Sequence, residues 1–353
     1  MNPLLAAMYG SNCIRFLRLV QSESRVPTQA MSTSSYSIRN YQPADFDKYV
    51  LLYTDAEKLD PTGRCTSRQF VATLLQRPNY SPRQDLFLAE LDEKIVGFMD
   101  LKPELGIGRV VLDCWVHPEH RRKGLATKLF GHATSRASTL GARVAHVSVA
   151  EDNLVAQRRL SGLGCRLVRR YLELDLDIDQ PLQRAMSSCP DIGAYTMPPI
   201  CHPLRHGEEG KLTQLQNRAF ANNWGYNPNT VEETTFDIRL STCSPDDILL
   251  TYEEDRAIGY CWTATICEEG VPSSRRGRIL MLGVDPDYGG KGTGKKLMMA
   301  GLAHLKSKGL RIAQVTVDSE NREACALYWS LGFQVQANTL WYEKAAIQDA
   351  ATR

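Results

Sequence analysis

Val116-His-Pro-Glu-His-Arg-Arg-Lys-Gly-Leu-Ala126 and Val284-Asp-Pro-Asp-Tyr-Gly-Gly-Lys-Gly-Thr-Gly294 lie 168 residues apart in a chain of 353. Each follows an apolar run and opens an amphipathic stretch, and the same offset joins Asn153 to Asn321 and Gly164 to Gly332. An offset held from Val116 to Gly164 marks an internal duplication. The repeated unit reads as a strand, a glycine-containing turn and a helix start. A helix start leaves backbone N–H groups without partners and carries the positive end of the helix dipole, and glycine lets a ligand approach the backbone. The unit therefore suits a phosphate group, with pyrophosphate as the expected ligand. A turn of this kind also serves helix–strand packing, and the turn alone does not separate the two uses.

Bulk properties exclude several function classes. With 42 basic and 40 acidic residues the formal charge is +2, which marks no nucleic-acid or anionic-membrane surface. No run reaches the roughly 18–20 apolar residues of a membrane span. Ten cysteines without a C-x-x-C pair fit reduced thiols, and we expect a cytoplasmic protein without a metal. Cys201, His202 and His206 are the one group considered for zinc, against a plain proline-bearing linker. Residues 1–35 carry Arg15, Arg18 and Arg25 with Glu23 as the lone acid. They read as a disordered or organellar transit-like extension, or as a stretch upstream of a true start at Met31.

The expected organisation is the 1–35 extension, a first unit over 36–179, a linker over 180–203, a second unit over 204–345 and a tail over 346–353. In the first unit we read helices at 43–59, 66–77, 124–140 and 153–163, and strands at 86–91, 94–101, 109–116, 143–149 and 166–176. The second repeats the order: helices at 208–221, 229–240, 292–308 and 321–331, strands at 247–252, 256–266, 278–284, 311–317 and 340–344. It carries six extra residues within 267–277, expected as an exposed loop. Both units are α/β, each a mixed sheet with helices on both faces.

Beyond the turn, the second unit reads Asn321, Ala324, Leu327, Tyr328, Gly332 and Phe333 at the spacing Asn-x-x-Ala-x-x-Leu-Tyr-x-x-x-Gly-Phe. Neither a P-loop nor a Rossmann fingerprint has this layout. Turn and helix together resemble the GCN5-related N-acetyltransferase (GNAT) superfamily over residues 36–345, in its tandem two-domain form. In that family an Arg/Gln-x-x-Gly-x-Gly/Ala turn binds the pyrophosphate of acetyl-CoA. Arg121, Arg122, Lys123, Gly124, Leu125 and Ala126 match it fully. Gly289, Gly290, Lys291, Gly292, Thr293, Gly294 and Lys295 match at both glycine positions, with Gly289 where Arg or Gln is usual.

The resemblance implies two splayed sheets and an acetyl-CoA-dependent N-acetyltransferase acting on a primary amine, expected to be a small molecule. The pantetheine arm would pair with the strand ending at Leu282, Gly283 and Val284, where a backbone N–H would meet the thioester oxygen. Asn321 and Tyr328 are carried over with the cofactor site, and Tyr328 as the acid for the leaving thiolate. The position seven residues after Asn153 is Leu160, so the first unit lacks that acid. We therefore expect the second unit to be catalytic and the first degenerate. The strand 278–284 holds no carboxylate, and Glu268 or Glu269 in the extra loop is the candidate base. Asn222, Asn223, Trp224 and Tyr226 form a polar-aromatic loop expected to contact the acceptor, or to connect helices with Trp224 docked on the sheet. A non-catalytic acyl-CoA-binding or regulatory protein, or a scaffold binding nothing, are the other readings.

Overall fold

The computed structural model describes residues 35–60, 65–179, 201–240, 244–266 and 276–345. They form two compact units, one made of 35–168 with 340–345 and the other of 169–339.

The first unit contains β1 (Ser37–Asn40), α1 (Phe46–Leu59), α2 (Arg68–Leu74), α3 (Pro82–Asp85), β2 (Leu86–Leu91), β3 (Lys94–Glu104), β4 (Arg109–Val116), α4 (Leu125–Thr139), β5 (Val144–Ala150) and α5 (Leu154–Gly162). Strands β1 to β4 run antiparallel to their neighbours and β5 lies parallel to β4. Asp92 and Glu93 join β2 to β3 with φ of 49° and 64°, the paired positive values that a tight hairpin turn requires. Alternation along β3 decides the layers. Phe98 meets Tyr49 and Tyr53 of α1, while Met99 and Leu101 join the cluster of Leu125 and Leu129 from α4. The two helices therefore cover opposite faces.

The second unit takes most of β6 (Arg166–Asp177), then β7 (Cys201–Pro203), α6 (Glu209–Phe220), α7 (Val231–Ile238), β8 (Ile248–Glu253), β9 (Arg256–Ile266), β10 (Arg276–Val284), α8 (Thr293–Ser307), β11 (Ile312–Asp318), α9 (Arg322–Ser330) and the start of β12 (Gln334–Ala345). Strands β7 to β10 are antiparallel neighbours, and β11 is parallel to β10. A Cβ on Gly259 would strike Leu297 of α8, and one on Gly283 would strike Tyr260 and Phe220. Alternate residues of β9 thus face α8 and α6, again on opposite faces.

The sequence reading placed 166–176 with the first unit and 340–344 with the second. Instead β6 pairs antiparallel with β11, from Ile312↔Asp177 to Asp318↔Tyr171, and Leu174, Leu176 and Ile178 complete the core around Leu297 and Leu302. Leu340 and Tyr342 of β12 likewise belong to the core around Leu125 and Leu129. Both strands carry the same alternation, which specifies a strand but not the sheet edge it joins. Cys201–Pro203, read as linker, is an edge strand, with Pro203 at its end where no ladder donor is needed. His202 stacks on Tyr252 at 5.0 Å, its Nδ1 2.8 Å from the Pro203 carbonyl.

Candidate active site

Both turns have one geometry. Gly124 and Gly292 precede α4 and α8 with identical φ of 79° and ψ of 1°. Two residues earlier, Arg122 and Gly290 are also left-handed, at 64° and 71°. The amides that follow start a helix and have no intrahelical acceptors. A Cβ at Gly294 would sit 3.8 Å from Val284 and 3.9 Å from Leu327, so the residue faces the gap between β10 and α9.

The two turns are braced differently. Arg121 donates to the Val116 carbonyl at 2.8 Å and pairs with buried Asp60, which also accepts from Trp115 Nε1 at 2.7 Å. Its guanidinium is occupied, so the turn would meet phosphate through its backbone. Gly289 has no side chain for that role, and Asp285 takes it over. Its carboxylate receives Arg218 through two contacts of 2.9 Å and Arg256 through another. These hydrogen bonds, Arg218 first, hold the Asp285 carboxyl far below the usual carboxylate range. It is a brace and not a base.

Each unit opens where its parallel strands separate. In the first, β4 and β5 pair from Arg109 to Leu112 against Val144 to Val147 and then part, leaving a cleft of ≈ 570 Å³. Arg121, Arg122, Gly124, Leu125 and Ala126 line it. Lys123 instead reaches the Tyr36 hydroxyl at 2.9 Å. In the second, β10 and β11 pair only from Arg276–Ile279 against Ile312–Val315, and a cleft of ≈ 410 Å³ follows. Leu282, Gly283, Val284, Asn321, Tyr328, Asn222, Asn223 and Trp224 all line it. Gly289–Lys295 are not part of that lining and sit at the head of α8, with Lys291 Nζ 5.2 Å from the Tyr288 ring. Tyr226 lies outside the cleft, buried, its hydroxyl donating to Asn217 at 2.7 Å. Glu268 and Glu269 lie outside the described residues.

Two features distinguish the second cleft. Strand β10 carries a register shift against β9 between Ile279 and Met281, whereas β3 and β4 pair without one. A bulge of this kind re-aims backbone groups and recurs beside active sites. The second feature is Tyr328. Its ring is buried against Phe333 at 5.6 Å, and its hydroxyl has no hydrogen-bond partner among the described residues. Burial pushes the phenol pKa up, so it stays protonated and able to donate. Asn321 caps α9 by accepting from the Ala324 amide at 3.1 Å, and Asn153 caps α5 in the same way at 3.0 Å. The repeated asparagine is thus a helix-start requirement.

Comparison with known proteins settles the family. The model of the Acetyltransferase (GNAT) family matches residues 52–164 and again 211–333. The chain belongs to the GNAT acetyltransferase family. It is an acetyl-CoA-dependent N-acetyltransferase. A mycothiol acetyltransferase of Actinosynnema mirum is 30% identical over 82% of this chain and 93% of its own. One of Streptomyces coelicolor is 29% identical over 85% and 92%. A tandem GNAT protein from the clavulanic acid biosynthesis pathway shares the fold at TM-score 0.63 and 15% identity, over 88% of this chain and 99% of that one. A GCN5-related N-acetyltransferase from Sphaerobacter thermophilus does so at 0.61 and 21%, over 88% and 96%.

The GNAT co-substrate fits what the second unit presents. Beyond Ile279 the inner edge of β10 is free of β11, leaving backbone groups for an extended amide-bearing arm. The left-handed turn, with open space where a Cβ would stand on Gly290 and Gly292, leaves room for pyrophosphate at the head of α8. Among the described residues, one group converges as cation ligands would: His117, Glu119 and His120, donor atoms within 4.8 Å. His120 is engaged with Tyr36 at 3.0 Å, and Glu119 is exposed. Sequence reading missed Arg169 and Tyr171 in the second cleft. They arrive on β6, and no local signal assigns that strand to this unit.

Proposed function

We propose that the second unit transfers an acetyl group from acetyl-CoA to the primary amine of a small molecule, by direct attack. The observation that carries this is Tyr328, a protonated hydroxyl without a partner on the wall of the cleft beside the β10 bulge. In the first unit the matching residue is Leu160 and the matching strand is regular.

When bound, acetyl-CoA supplies an activated acyl carbon with a thiolate leaving group. The chain supplies the rest. The backbone of β10 from Leu280 to Val284 would hold the arm and offer an N–H to the carbonyl oxygen, a contribution worth about 2.7–4 kcal/mol per donor in acyl transfer. The amides of Lys291–Lys295 would take the pyrophosphate, helped by the lysine charges. Tyr328 would protonate the departing sulfur. Relatives named mycothiol acetyltransferase, similar over most of both chains, support a small-molecule acceptor. The polar-aromatic wall of Asn222, Asn223 and Trp224 would contact it.

The first unit keeps a turn of the same geometry and a larger cleft that reaches it. This favours a second role there, holding acyl-CoA without turning it over. The test of the main reading is thiol release with a panel of primary amines, each product identified by mass. Amine-dependent release with an N-acetyl product supports it. Acetyl-CoA binding without any acylated amine would favour the non-catalytic reading.

A further inference from the structure

The duplicated sequence allows the two clefts to be compared position by position, and the differences gather at one end of the second. Where that cleft has Asp318, Glu323 and Tyr328, the first unit has Ala150, Val155 and Leu160. Asp318 ends β11, and a short turn through Asn321 leads into α9, which carries Tyr328. Both side chains line the same cleft. The Asp318 side chain is 15% exposed, open enough to meet a ligand. One oxygen accepts from the Glu320 amide at 3.0 Å and the other lies 3.3 Å from Arg169 Nε. Arg169 comes from β6, pairs also with Glu320, and lies 5.3 Å over the Trp224 ring.

We propose that Asp318 is the carboxylate that binds the acceptor's ammonium and takes its proton, and that Arg169 is the residue that positions it. This rests on the function proposed above and supplies the base that strand 278–284 lacks. The acceptor class is an amine that arrives protonated. Asp318, Glu320 and Glu323 face the cleft with Arg169 as the cation among them, an excess of negative charge that suits a cation.

The protons balance in three moves. Asp318 removes one proton from the ammonium and later passes it to solvent. The freed nitrogen bonds to the acetyl carbon and the carbon–sulfur bond breaks. Tyr328 gives its proton to the sulfur and regains one from the nitrogen as the amide forms. Burial raises the Asp318 pKa, opposed by the Glu320 amide and by Arg169 and reinforced by the Glu320 charge. Tyr171, Tyr328, Glu323 and the Cys325 thiol are the other titratable groups at this end. A carboxylate with a raised pKa is a stronger acceptor for a proton near neutral pH.

The probe is the primary amine with the highest parent turnover among glucosamine, spermidine and lysine methyl ester. Asp318→Asn should lower kcat/KM for that amine about 10²- to 10⁴-fold at pH 7, the usual range for losing a general base. CoA affinity by calorimetry should stay within about twofold. The deficit should shrink roughly tenfold per pH unit as free amine becomes abundant. Asp318→Glu should recover part of the rate. Arg169→Met should move the acid limb of kcat/KM to higher pH, since removing the cation leaves the carboxylate harder to ionise. Carbon-13 NMR of the parent should show one aspartate carboxyl titrating above the ordinary value and missing in Asp318→Asn. Parental activity in Asp318→Asn, a pH-independent deficit, or an Asp318 resonance at the ordinary value would each overturn the assignment while leaving the proposed function intact. A parent that binds acetyl-CoA but acetylates no amine would overturn both.

Discussion

Tyr328→Phe separates chemistry from packing. The hydroxyl makes no hydrogen bond to the described residues, and the buried ring packs on Phe333 at 5.6 Å. Deleting the oxygen therefore removes no protein hydrogen bond and leaves the ring's burial intact. The hydroxyl faces the cleft and keeps access to solvent, so its loss neither breaks a protein contact nor relieves a buried, unpaired donor. Thermal unfolding should stay unchanged. The rate should behave differently. An acid acting on the leaving sulfur contributes about 10²- to 10⁴-fold, or roughly 2.7–5.4 kcal/mol at about 1.36 kcal/mol per decade. The assay is steady-state thiol release with a saturating amine, beside a melting curve of the same preparation. A large fall in kcat with an unshifted melt is expected. A rate within about threefold of the parent would show that Tyr328 is a packing residue. A lowered melting temperature would show that its hydroxyl is structurally engaged.

Three further outcomes follow from other parts of the fold. A Cβ on Gly301 would lie 2.5 Å from Cys261 Sγ, so Gly301→Ala should lose about 1–3 kcal/mol to overpacking against about 1 kcal/mol of helix propensity gained. Denaturant titration should show net destabilisation that reverses in a Cys261→Ala background. His146 is buried, with Arg109 Nη1 3.4 Å from Nδ1 and Glu343 3.1 Å from Nε2. Burial and then Arg109 lower its pKa, so the folded state keeps it neutral. As pH falls below about 6.5 the unfolded chain binds the proton first, and stability should drop by up to about 1.4 kcal/mol per pH unit until the folded pKa is reached. His146→Gln should flatten that slope between pH 7 and 5. Finally, 35–179 and 201–345 expressed apart should each lack a strand that its unit needs, so co-expression should restore a cooperative melt that neither piece shows alone.

Much of this fold is legible because local signals agree with tertiary structure. Arg109–Val116 and Arg256–Ile266 are apolar runs bounded by turns, and both form strands with those limits. Gly141, Gly164, Gly309 and Gly332 all have positive φ, as glycines that end helices should. The strand exchange is not legible, because Leu172–Leu176 and Leu340–Tyr342 would serve either sheet equally well by pattern. Short edges such as Ser37–Asn40 and Cys201–Pro203 carry too few residues to show alternation. In the site, Tyr328 follows from the helix motif, whereas the bulge at Leu280 depends on pairing with β9 and leaves no mark in the strand's composition. In the sequence Asp318 reads only as an acid following the strand at 311–317. Its significance comes from sharing a cleft with Tyr328 and from Ala150 standing at the matching position. Asp285, another aspartate at a strand end, is distinguished by Arg218 and Arg256, which converge on it from α6 and β9.

Placing the chemistry in the second unit predicts that matching substitutions in the two turns differ in effect. Gly294 and Ala126 occupy matching positions in the first helical turn, and both have ordinary helical backbone. A glutamate at either would place a carboxylate beside the phosphate turn of one unit alone. Single-turnover transfer from acetyl-CoA should fall at least about 100-fold in Gly294→Glu and stay near the parental rate in Ala126→Glu, the loss expected when like charges share a site. Transfer lost with Ala126→Glu and kept with Gly294→Glu would contradict the account and move the active site to the first unit.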